Sequence, residues 1–85
     1  MKLDNKTKEL IAVGASVTAN CQPCLQYHAA KALEFGADAE EVAVAIEVGK
    51  QVRKGASAKM DSFAAFLKDV APAPAGAKDS ICCGQ

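Results

Sequence analysis

The chain has 85 residues, ten Lys and Arg against ten Asp and Glu for zero net charge, and 51% hydrophobic residues, of which only one Tyr and three Phe are aromatic. So short a chain is one domain at most and buries a smaller share of its surface than a larger one, which is why small chains lean on disulfides, a metal or self-association. The charge balance leaves no positive field for nucleic acid or an anionic bilayer, and the longest apolar run, Leu10 to Val17, is too short to span a membrane and follows both charge signs rather than a basic signal region, so a cytoplasmic protein is expected.

Asn5 to Ala19 is helix-compatible throughout. Leu10, Val13 or Gly14, and Val17 recur at helical spacing, and Lys6, Lys8 and Glu9 take polar positions. The stop falls at Thr18 to Asn20. Asn20 is then expected as N-cap of a second helix, from Cys21 to about Phe35, with Pro23 in the first turn, where its missing N–H has no intrahelical partner anyway. Gly36 closes that helix. Asp38 starts a third, with Glu40 and Glu41 in the first turn, where the helix dipole favours acids. Its apolar face runs Val42, Ile46, Gly49, Val52, Ala56, Met60, Phe63, Leu67, Val70. Gly55 inside it costs about 1 kcal/mol relative to alanine, so it marks a tight crossing or a break, and the unbroken period favours one long helix.

From Ala71 the composition turns to "APAPAGAKDSICCGQ", with no apolar period. Residues 71–85 read as a flexible tail that carries Cys82 and Cys83 beyond a helical domain of residues 1–70. No alternating run reads as a strand. The expected fold class is all-α: a helical hairpin plus one long helix. Abundant alanine and few aromatics suit close packing and oligomerisation through helix faces.

The stretch "TANCQPCLQYHAAK", residues 18–31, concentrates the chemistry. Cys21, Cys24 and His28 follow one another at helical spacing and project toward one face. Near a helix N-terminus unpaired N–H groups stabilise a thiolate, and a disulfide between the two cysteines is within reach. His28 changes protonation near neutral pH and so suits proton transfer to or from a thiol, with Lys31 one turn further on to add positive potential. In a reducing compartment a CxxC is more often catalytic or metal-binding than a permanent crosslink. Metal is the competing reading. Cys21, Cys24 and His28 with Cys82 or Cys83 would make a tetrahedral set for zinc, although the tail would then have to be fixed. The plainest reading is two half-buried small hydrophobes and a histidine that only packs.

Cys82 and Cys83 are adjacent, so a disulfide between them is strained and easily reduced, and as a dithiol they suit soft ions such as mercury or arsenic. Ala71 to Ile81 extends over roughly 34 Å at about 3.1 Å per residue, enough to visit Cys21 and Cys24 as an electron shuttle. In this the tail is similar to that of mercuric reductase. Lys50, Arg53, Lys54 and Lys59 read as the solvated face of the third helix, with partner or anion binding as the alternative.

"ELIAVGASVTANCQPCLQYH" followed by "EVGKQVRKGASAKMDSFA" resembles the alkylhydroperoxidase D type of the carboxymuconolactone decarboxylase family, over roughly residues 5–70. The resemblance implies an all-helical, obligate homo-oligomer, commonly dimers assembled into a hexamer. It makes Cys24 the thiol that attacks a hydroperoxide, Cys21 the resolving and more exposed partner, His28 the proton carrier and Glu9 the relay acid. It implies no cofactor beyond a redox-active disulfide, with a dithiol donor such as a thioredoxin-like or lipoyl protein as reductant. In an antiparallel hairpin Glu9 would lie roughly 13 Å and His28 roughly 10 Å from the turn, close enough to meet. Pro23 stands where well-studied members have a second histidine. The relay is therefore shorter, which favours thiol exchange over peroxide turnover. Members that decarboxylate a lactone do so without a CxxC, so the pair argues against that reaction. The function expected is a thiol-dependent oxidoreductase, and the alternative is a binding module for thiophilic metal.

Overall fold

Three helices, α1 (Asn5–Thr18), α2 (Gln22–Glu34) and α3 (Ala39–Leu67), make up most of residues 2–67, the part of the chain that the computed structural model describes. No strand occurs among the described residues. Val70 and the tail of residues 71–85, with Cys82 and Cys83, lie outside them.

Each helix begins on a side-chain acceptor. Asp4, in extended backbone, accepts the Thr7 N–H at 2.8 Å. Thr7, through its hydroxyl and then its backbone N–H, holds the Asp4 carboxyl below its ordinary pKa of 3.8. Asp38 accepts the Glu41 N–H at 2.8 Å while the Glu41 carboxylate accepts the Asp38 N–H at 3.0 Å, a reciprocal capping box at the start of α3. At α2 the acceptor is sulfur: Cys21 is the N-cap, and its Sγ accepts the Cys24 N–H at 3.3 Å.

The expectation that Asn20 caps α2 is therefore corrected. Asn20 is committed to ending α1, with φ +58°, whereas an N-cap residue needs extended backbone. It donates its N–H to Val17 O at 3.1 Å, and Cys21 donates to Ser16 O at 3.0 Å. The end of α2 repeats the pattern one helix later, with Gly36 at φ +104° donating to Leu33 O and Ala37 to Ala32 O. Both are Schellman endings, in which a left-handed residue just past the helix turns two N–H groups back onto its last carbonyls.

α1 packs along both α2 and α3, which barely meet each other. Val13, Ala32 and Ala37 form the buried centre, with Leu10, Leu25, Ala29, Val42, Ala45 and Ile46 around it. α1 and α3 cross at two glycines. A Cβ on Gly49 would sit 2.5 Å from the Gly14 carbonyl oxygen and 2.8 Å from Val17 Cβ. The Thr18 hydroxyl spans the crossing, 3.1 Å from Gly14 O and 3.0 Å from Gly49 O.

α3 is one unbroken helix, as its period predicts. Gly55 is no crossing point among the described residues, since none of them lies within 4 Å of a Cβ built there. From Lys54 to Phe66 every residue of α3 is exposed. That stretch includes Met60, Phe63 and Phe66, at 63%, 57% and 75%.

Candidate functional site

The tight corner between α1 and α2 makes one residue serve both helices. The Cys21 N–H closes the end of α1 and the Cys21 sulfur opens α2. Cys24 then falls in the first turn, with its Cα 5.3 Å from that of Cys21, and the two are joined as a disulfide. That separation lies within the ordinary range for such a crosslink. Cys24 is exposed and Cys21 half-buried. This reverses the expected order of exposure, because Cys21 is wedged where two helices join whereas Cys24 is on the open face of the first turn.

The antiparallel run of α1 and α2 brings Glu9 directly against His28, with Oε1 to Nδ1 at 2.6 Å. Their side chains are 20% and 30% exposed, sheltered but reached by solvent. A carboxylate accepting from Nδ1–H fixes the imidazole tautomer and orientation and leaves Nε2 for proton exchange. The Tyr27 ring meets the His28 ring edge-on, with centroids 5.0 Å apart, and limits its swing. His28 is one turn beyond Cys24 on α2. Lys31 faces elsewhere: its ammonium pairs with Glu34 at 3.3 Å and lies 5.9 Å from the centroids of Tyr27 and Phe35. Its charge is directed to those groups rather than to the sulfurs.

On the other side of the corner, α3 contributes residues read from the sequence first as a solvated basic face, with partner or anion binding as the alternative. Arg53 Nη1 donates to Asn20 Oδ1 at 2.8 Å and to Val17 O at 3.1 Å, holding the corner against α3. Arg53 and Lys50 line, with Asn20, Cys21 and Gln22, an open pocket of about 270 Å³. No sequence pattern links residues so far apart in the chain. The only hint was their own spacing, which puts Lys50 and Arg53 on one helical face.

Among the described residues no group of three or more His, Cys, Asp or Glu is placed to hold a metal ion. In the disulfide the sulfurs of Cys21 and Cys24 are bonded to each other, His28 is paired through Nδ1 with Glu9, and the tail members of the zinc set, Cys82 and Cys83, fall outside those residues. No helix among the described residues is long and apolar enough to cross a membrane.

Residues 1–68 match the carboxymuconolactone decarboxylase family. The chain is similar to uncharacterized protein 4 in cox locus of Paracoccus denitrificans, with 38% identity over 55 residues, which is 65% of this chain and 50% of that protein. It thus spans about half the length of that relative. No solved structure gives a significant match.

Proposed function

The chain belongs to the carboxymuconolactone decarboxylase family, and on that premise we propose that it is a thiol-dependent oxidoreductase, reducing hydroperoxides or exchanging disulfides through Cys21 and Cys24. The observation that carries this reading is the pairing of a disulfide at a helix N-terminus with a Glu9–His28 couple one turn away.

The peroxide half-reaction runs as follows. His28 takes the Cys24 proton, and the thiolate attacks the outer oxygen of the hydroperoxide. The O–O bond breaks, the alcohol leaves with a proton from His28, and Cys24 becomes a sulfenic acid. The Cys21 thiol condenses with it, releasing water and forming the disulfide. A dithiol donor, thioredoxin-like or lipoyl, returns two electrons and two protons. Glu9 holds the imidazole in place throughout. As N-cap, the Cys21 sulfur accepts a helical N–H, an arrangement that stabilises its thiolate and so supports exchange chemistry. The reading puts the protein in a reducing compartment such as the cytoplasm, where a CxxC disulfide is turned over rather than kept.

We also propose a homo-oligomer. Among the described residues only Val13, Val17, Ala32 and Ala37 of the apolar ones are buried, while the distal half of α3 bears large apolar side chains that none of those residues covers. A second copy that covers Met60, Phe63 and Phe66 supplies the missing core.

The first test is intact mass and peptide mapping of the reduced protein after one equivalent of an organic hydroperoxide. Loss of two hydrogens, mapped to Cys21 and Cys24, is expected. Cys24→Ser should abolish peroxide consumption and Cys21→Ser should leave a trappable sulfenate. Equal residual activity in the two variants would overturn the assignment, and unchanged thiols would overturn the peroxide chemistry.

A further inference from the structure

The pocket beside Cys21 is built from donors. Arg53 Nη1 is used up on Val17 O and Asn20 Oδ1, so the opposite edge of the guanidinium, Nε–H and Nη2–H, has no partner among the described residues. That edge is a ready-made bidentate site for a carboxylate. Asn20, whose carbonyl oxygen accepts from Arg53, keeps both amide N–H groups to offer. Lys50 adds an ammonium. Its one partner is Glu47 at 3.3 Å, and both side chains are more than half exposed, so the pairing is weak and readily exchanged. Among the described residues no carboxylate lines the pocket, and Val17, Leu25 and Ile46 supply its apolar wall. At about 270 Å³ it is smaller than the pockets of roughly 300–1,000 Å³ that hold drug-sized ligands, so its occupant is compact.

Resting on the reading that the Cys21–Cys24 disulfide is redox-active, we propose that this pocket takes a small thiol bearing a carboxylate. The Arg53 edge, with Lys50 alongside, holds the carboxylate and delivers the sulfur to Cys21. The ligand thiolate attacks Cys21 Sγ and the bond between Cys21 and Cys24 breaks. The electron pair leaves on Cys24, which takes up a proton, and the ligand is held as a mixed disulfide on Cys21. A second thiol of the same class attacks the ligand sulfur, releases Cys21 and carries away the ligand disulfide. Two thiols are oxidised and one protein disulfide is reduced. Cys24 is an exposed residue outside the pocket lining, so the pocket acts on choice of reductant by orienting charged thiols at Cys21.

The test compares reduction of the oxidised full-length protein by 3-mercaptopropionate and by 2-mercaptoethanol, as rates per thiolate. A preference of about tenfold for the carboxylate thiol is expected, weakening as salt is raised. Arg53→Gln should bring the ratio of the two rates close to unity, Arg53→Lys should restore only part of it, and Lys50→Gln should lower it by a smaller factor. A loosened corner would also erase the preference, so circular dichroism checks the fold of Arg53→Gln, and Lys50→Gln, whose side chain bonds only Glu47 on its own helix among the described residues, gives the independent reading. Equal rates in the unaltered protein, or a ratio that survives Arg53→Gln, overturn the pocket. A second measurement separates this from failure of the redox reading. Titration of the oxidised protein with butyrate, followed by NMR, should shift the Arg53 Nε–H signal whether or not any thiol reduces the disulfide. A butyrate shift with no reduction by either thiol would keep the carboxylate site and overturn both the thiol-delivery step and the redox reading. Reduction without preference and without shift would overturn the pocket alone.

Discussion

The two halves of α3 carry the same apolar period and meet opposite fates. Before Arg53 the face finds α1: Val42, Ala45 and Ile46 join the central cluster, and Gly49 lies against Gly14 with no room for a side chain. After Arg53 the face continues through Ala56, Met60 and Phe63 and is covered by none of the described residues. A hydrophobic period thus fixes that a helix forms and which face seeks cover, but not where the cover comes from. The two glycines on this helix make the point at single-residue scale. Gly49 is an intrachain crossing, whereas Gly55 stands in open space.

The largest expected effect breaks the packed half. Gly49→Ala places a methyl group 2.5 Å from a backbone oxygen that cannot move aside without parting the helices, and should cost about 3 kcal/mol, in the upper part of the range for overpacking. A lowered Tm by circular dichroism checks it. Next is the bare half. Phe63→Glu should leave a second copy without an anchor, losing about 1.5–3 kcal/mol for the buried side chain, and analytical ultracentrifugation should show a smaller assembly. If the size is unchanged, the cover lies elsewhere. Gly55→Ala is the finer probe: it should stabilise by about 1 kcal/mol if that face stays open. Destabilisation instead would show another chain crossing at Gly55 as α1 crosses at Gly49.

The smallest effect is at the start of the packed half. The Asp4 carboxyl titrates below 3.8 in the folded protein. Its capping contribution is therefore complete above that value and is lost as pH falls through the lower folded pKa. Helicity should fray at α1 in this acid window, and Asp4→Asn, which caps without titrating, should remove the dependence.

Much of this was legible beforehand, for identifiable reasons. Asp38 as a cap with Glu40 and Glu41 in the first turn is spelled in local sequence, and the face of α3 is a matter of spacing alone. Glu9 is singled out by the family resemblance, and the helical rise along the two arms of a hairpin then puts it within reach of His28. Asn20 was misplaced because its short polar side chain suits an N-cap and a left-handed helix ending equally well, and only the direction of the corner chooses between them. The exposure of Cys21 and Cys24 was inverted for a related reason: a residue that closes one helix and opens the next is drawn into the joint. The partners of Arg53 and the register that sets Gly14 against Gly49 depend on how α3 slides along α1, a quantity that no local pattern encodes.

The double duty of Cys21 has a thermodynamic consequence. One atom both anchors the first turn of α2 and carries electrons in the proposed chemistry, so secondary structure and oxidation state share a single free-energy cycle. Whatever the cap gains or loses between disulfide and thiolate must reappear, with equal size, in the midpoint potential. A substitution that only loosens the beginning of α2 would therefore retune the couple without touching either sulfur, and amide exchange at Cys24 would serve as a gauge of the protein's redox state.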